Sequence, residues 1–140
     1  MKKLVFASFL GLSMAGCASS QDVSEVSQDE VSEPIQTFIE DVKEENGVHL
    51  YYDGTKAIYV YFNASNVKQG EEASHFSDVK VEEEGNTVKV LYSREEMSDD
   101  SNENIDYELL YKIETDDSYE NLKLFENGKE VSFGTVSGNE

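Results

Sequence analysis

Tryptophan is absent, cysteine and proline occur once each, and only 11 Lys and Arg stand against 30 Asp and Glu in 140 residues. A single cysteine excludes an intramolecular disulfide, so the fold must be held by its own core. The shortage of bases, a net charge of −19, excludes nucleic acid as a partner, because phosphate binding needs clustered Lys and Arg. No apolar run approaches the roughly 20 residues that span a bilayer. The length fits one domain and excludes a large multidomain enzyme. What is present is aromatic: 8 Tyr and 7 Phe are too many for a chain that stays wholly disordered.

Apolar periodicity divides the chain. Over 34–45, Ile35, Phe38, Ile39 and Val42 fall at i, i+3, i+4, i+7, the stripe of an amphipathic helix. Ser32 or Glu33 before Pro34 suits its start, and Asn46-Gly47 its stop. From Gly47 onward the period becomes two. Val48, Leu50 and Tyr52 share a face, as do Ile58, Val60 and Phe62, with Tyr59 and Tyr61 on the opposite side. Alternation predicts further strands over 76–83, 87–93, 105–114, 119–126 and 130–133. Asp53-Gly54, Gly85-Asn86 and Asn127-Gly128 are hairpin dipeptides. The predicted fold is mainly β: a small antiparallel β-sandwich or barrel of about seven strands with one short N-terminal amphipathic helix.

The N-terminus carries an address. Lys2 and Lys3 precede the apolar run 4–14, too short to span a bilayer but suited to a signal-peptide core. Met14-Ala15-Gly16-Cys17 follows, and it resembles the lipobox of the bacterial lipoprotein class, with Met14 where Leu is commoner. The resemblance covers residues 1–17. It implies cleavage between Gly16 and Cys17, and a diacylglycerol on Cys17 with palmitate-type acyl chains in the membrane. Each buried methylene contributes about 0.8 kcal/mol and one chain alone binds marginally, so two chains meet the requirement for stable anchoring. The expected location is the bacterial cell envelope, on the outer face of the cell membrane, or on the periplasmic side of the inner or outer membrane in a diderm. Loss of Lys2 and Lys3 with residues 1–16 leaves 9 bases against 30 acids, −21.

Residues 17–33 read as the lipidated cysteine and an acidic, Ser-rich tether, with Val23, Val26 and Val31 its only sizeable apolar side chains. Such a coil averages roughly 20 Å end to end and reaches about 55 Å fully stretched. The globular domain is expected over 34–136 and a C-terminal tail over 137–140.

Candidate sites are few. Ser74, His75, Ser77 and Asp78 hold triad residue types, yet a triad converges in space rather than by adjacency, and no glycine elbow surrounds them. No catalytic residue is therefore assigned. His49, between Val48 and Leu50, is expected at the surface beside Tyr51. Asp100, Asn102, Asn104 and Asp106 match positions 1, 3, 5 and 7 of a calcium loop. The match breaks at Ile105, where glycine makes the turn, and at Tyr111, where a bidentate Glu is expected. A solvated acidic loop is the plainer reading. Tyr51, Tyr59 and Tyr61 would form a patch for stacking a ligand if their strands pair, unless the helix at 34–45 lies over that face.

The leading functional expectation is a membrane-anchored, non-enzymatic surface domain that binds an envelope protein or a small ligand, with no cofactor. A second reading is a calcium-responsive module using the loop 99–106. The third, a small hydrolase using His75, ranks last.

Overall fold

The computed structural model describes residues 22–54, 57–66, 73–97, 107–114 and 119–139. Among these residues lie nine strands: β1 (Asp22–Glu25), β2 (Gly47–Asp53), β3 (Ala57–Asn63), β4 (Ala73–Glu84), β5 (Thr87–Met97), β6 (Glu108–Glu114), β7 (Asn121–Glu126), β8 (Lys129–Val131) and β9 (Val136–Asn139). A 3-10 turn at Gln28–Glu30 and one α-helix, α1 (Glu33–Val42), lie between β1 and β2. The strands form two sheets, one ordered β8-β7-β5-β4 and the other β9-β2-β3-β6-β1. The mainly β sandwich with one helix is thus the observed fold.

Packing follows the alternation. Val48, Leu50, Ile58, Val60 and Phe62 of the five-stranded sheet meet Phe76, Val81, Val88, Val90 and Leu124 of the other. Phe62 is the hub of an aromatic cluster, 5.3 Å from Phe76, 5.2 Å from Tyr92 and 5.8 Å from Tyr111 between ring centroids. Helix α1 covers the opposite face of the five-stranded sheet. Its stripe of Ile35, Phe38, Ile39 and Val42 is buried on Tyr51, Tyr59, Tyr61 and Leu110. Three layers result, and the centre of the middle sheet is covered on both sides. For that reason every residue of β3 is buried, and each large apolar side chain there contributes about 1.5–3 kcal/mol.

All three hairpin dipeptides lie where the strands turn. Asn127 (φ 52°) and Gly128 (φ 86°) both adopt positive φ, as a two-residue turn between twisted strands requires; they join β7 to β8. In β4 a bulge between Ser77 and Lys80 sets Asp78 and Val79 opposite Tyr92 alone, with Asp78 at φ 54°. The extra residue reverses the strand's parity, so that Phe76 and Val81, five apart, both face the core.

Four expectations need correction. The sheets are mixed: β5 and β7 run parallel, as do β2 and β9, because β6 leaves for the other sheet between β5 and β7. The expected tether ends early. Asp22–Glu25 pairs with β6, while Val26 and Val31 pack against the helix-side core, since β6 offers an open edge and the valines an apolar face. The expected tail over 137–140 is instead the edge strand β9 through Asn139, held by the edge of β2. Finally, His49 is buried, 1% exposed, because its face of β2 lies under the helix layer and not in water.

Candidate functional site

The site is a cleft of about 350 Å³ at one end of the sandwich, where the two sheets part. It opens between the α1–β2 turn (Asn46, Gly47), the ends of β3 and β5, the start of β4 and the connection from β8 to β9. Its floor is apolar, made by Val48, Ala64, Phe76 and Val131. Arg94 and Glu126 stand at its wall.

Arg94 is the only arginine in the chain, and it is held at four points. Its backbone N–H donates to Asn127 Oδ1 at 2.9 Å, and its carbonyl accepts from Asn127 Nδ2 at 3.1 Å. The Asn127 amide therefore ties the hairpin turn to β5. The Arg94 Nε–H donates to Ser74 Oγ at 3.2 Å, and Nη1 lies 3.8 Å from Glu126 Oε2. Glu126 is in turn positioned by Tyr92, whose hydroxyl donates to its Oε1 at 2.8 Å. Burial, and then the Glu126 carboxylate beside it, pushes the Tyr92 hydroxyl well above the ordinary tyrosine range, with the Arg94 charge opposing weakly. The Arg94 and Glu126 side chains remain 42% and 29% exposed, so both can meet a ligand at the mouth.

The far wall is rigid because its polar atoms are used. Asn63 Nδ2 donates to the carbonyls of Lys43 at 2.8 Å and Glu45 at 3.0 Å, while its Oδ1 accepts from the backbone N–H and hydroxyl of Ser65. These bonds satisfy the carbonyl of the α1 C-cap residue, Lys43, and that of Glu45 in the turn that follows. His49 braces the neighbouring connection. Its Nδ1 accepts from the Thr135 N–H at 3.0 Å, which leaves Nε2 to donate to the Glu45 carbonyl at 2.9 Å. Gly134 lies so close that a Cβ there would sit 2.9 Å from the His49 ring.

Comparison with family models, curated proteins and solved structures finds no match to this chain. The chemistry of the cleft must therefore be read from its own residues.

The residues singled out in the sequence fall elsewhere or act differently. Ser74 is buried and turns into the cleft to receive Arg94, whereas His75 turns the other way, 3.5 Å from Glu95. Adjacent strand residues point to opposite faces, so the two do not form a nucleophile and base pair. Ser77 lies opposite Ser93 and Asp78 is an exposed bulge residue. The tyrosine patch is covered: Tyr51 and Tyr59 are 6% exposed and Tyr61 is fully buried beneath α1, its hydroxyl donating to Glu108 Oε1 at 2.6 Å. The patch cannot stack a ligand in this fold, because the helix needs that face for its own apolar stripe. Gly16, Cys17, Asp100, Asn102, Asn104 and Asp106 lie outside the described residues. Among the described residues no group of three His, Cys, Asp or Glu is placed to hold a metal, and no helix is long and apolar enough to cross a membrane.

Sequence reasoning passed over Arg94 and Glu126. One signal was there: a unique arginine in a strongly acidic chain is a charge the composition does not supply by chance abundance.

Proposed function

We propose that this chain is a bacterial envelope lipoprotein, anchored through diacylglycerol on Cys17, whose sandwich domain is a non-enzymatic binding module. The observation that carries the binding reading is the braced Arg94 at the cleft mouth. A guanidinium bonded to Ser74 and drawn toward Glu126, on a backbone clipped by Asn127, is partly pre-organised, which lowers the entropy lost when a ligand binds. The separation of Ser74 and His75 onto opposite faces of β4 supports binding rather than catalysis. The Met14-Ala15-Gly16-Cys17 motif supports the anchor, by resemblance.

The test uses bacterial cells producing the full chain, Cys17→Ser or Arg94→Gln. Labelled palmitate should enter the first and third proteins and not the second, which should leave the membrane fraction. Cross-linking in intact cells should give an adduct, with an envelope protein or small molecule, that Arg94→Gln lacks. Label in Cys17→Ser would refute the anchor, and an adduct unchanged by Arg94→Gln would refute the cleft as the binding site.

A further inference from the structure

We infer that the ligand of this cleft is a small zwitterion, a free α-amino acid with an apolar side chain. This inference rests on the binding reading above and adds the chemical class. The wall presents both signs of charge within one contact: Arg94 Nη1 and Glu126 Oε2 are 3.8 Å apart, longer than the 2.7–2.9 Å typical of a closed charge-assisted hydrogen bond. An anion alone would face Glu126 as well as Arg94, and a cation alone would face the guanidinium. A molecule with carboxylate and ammonium on one carbon satisfies both.

The donors and acceptors suffice. A guanidinium carries five N–H groups; the Nε–H is given to Ser74 and Nη1 leans toward Glu126, which leaves the outer edge of the fork for a carboxylate. The Glu126 carboxylate has about four acceptor positions, of which one takes the Tyr92 hydroxyl. An ammonium can use the rest. Beyond the charged wall the floor of Val48, Ala64, Phe76 and Val131 suits an aliphatic or aromatic side chain. At about 350 Å³ the cleft is at the small end of ligand sites, which excludes a long peptide from being enclosed.

Isothermal titration of the full chain in mild detergent decides it, with L-leucine, leucinamide and N-acetyl-L-leucine as probes. L-Leucine should bind saturably. Leucinamide, lacking the carboxylate, and N-acetyl-L-leucine, lacking the ammonium, should each bind at least roughly tenfold more weakly, as loss of one charge-assisted contact requires. Arg94→Gln should weaken L-leucine by a similar factor while the chain stays folded, its melting temperature lowered only by the lost Ser74 and Glu126 contacts, because the Asn127 clip to its backbone stays. Glu126→Gln keeps an acceptor for Tyr92 but removes the charge, and should narrow the preference for L-leucine over N-acetyl-L-leucine. If all three probes bind alike and Arg94→Gln weakens all three, the zwitterion is refuted while the cleft stands as a binding site. If no probe gives saturable heat, the inference also falls, and the cross-linking comparison above decides separately whether the binding reading falls with it.

Discussion

Raising the pH above the ordinary tyrosine range should destabilise this protein through two hydroxyls. Tyr61 is fully buried and donates to Glu108, and Tyr92 is 5% exposed and donates to Glu126. Burial first, and the adjoining carboxylate second, raises the pKa of each above 10. The unfolded chain ionises these groups near pH 10 while the folded chain keeps its protons, so the unfolded state binds fewer protons and stability falls as pH rises. From about pH 9 to pH 11 each group then costs about 1.4 kcal/mol, and the pair about 2.7 kcal/mol. Below about pH 9 both states are protonated and the contribution of the two hydrogen bonds is intact. Urea titrations at several pH values would measure the slope for the natural chain and for a Tyr61→Phe, Tyr92→Phe double variant. The variant loses two hydrogen bonds at every pH, but it should escape the extra alkaline loss. Tyr52, Tyr111 and Tyr119, also raised by burial, are common to both chains and cancel. If the two curves decline in parallel, with less than about 1 kcal/mol between their alkaline losses, the buried hydroxyls are not held protonated by the fold and the reasoning is wrong.

Two further outcomes are expected. Gly134→Ala drives a methyl to 2.9 Å from the buried His49 ring; the ring is fixed by two hydrogen bonds and cannot retreat, so the urea midpoint should report a loss of about 1–3 kcal/mol. An unchanged midpoint would mean that the β8–β9 connection yields freely. For the loop 99–106, melting curves in calcium and in matched ionic strength should superimpose. Calcium at roughly 100 times a dissociation constant would instead stabilise by about 2.7 kcal/mol, and such a rise, removed by Asp100→Ala, would overturn the solvated-loop reading.

Local signals were legible where they act locally. The stripe Ile35, Phe38, Ile39, Val42 specified α1 and its buried face, and the three dipeptides marked the hairpin turns because positive φ is needed there. What depends on distant partners was not. Asp22–Glu25 and Val136–Asn139 are polar, short segments whose strand character comes from the open edges of β6 and β2, which no window of either segment contains. Parallel pairing of β5 with β7 has no dipeptide signature, since the intervening chain visits the other sheet. The bulge at Asp78 and Val79 displaced the parity count in β4, so Val79 and Val81 do not stand equally deep. His49 obeyed its alternation; what failed was the assumption that the second face of β2 meets water. At the cleft, Ser74, Arg94 and Glu126 come from three strands, and their contacts at 3.2 and 3.8 Å are created by sheet order rather than by spacing along the chain.

If Cys17 carries the proposed lipid, the pairing of β1 with β6 limits how far the domain can travel. On the proposed lipidation of Cys17, only five residue steps separate the anchored cysteine from Asp22, where the sheet begins. Five steps reach at most about 18 Å, against the roughly 55 Å of an undocked sixteen-residue coil. The domain would then work as a low-lying plate on the bilayer rather than as a probe on a stalk, within about two Debye lengths of the headgroups at physiological salt. With 30 acids it would be pushed outward by anionic lipid and pulled back by its leash. Whatever occupies the cleft would have to arrive at the membrane surface to be captured.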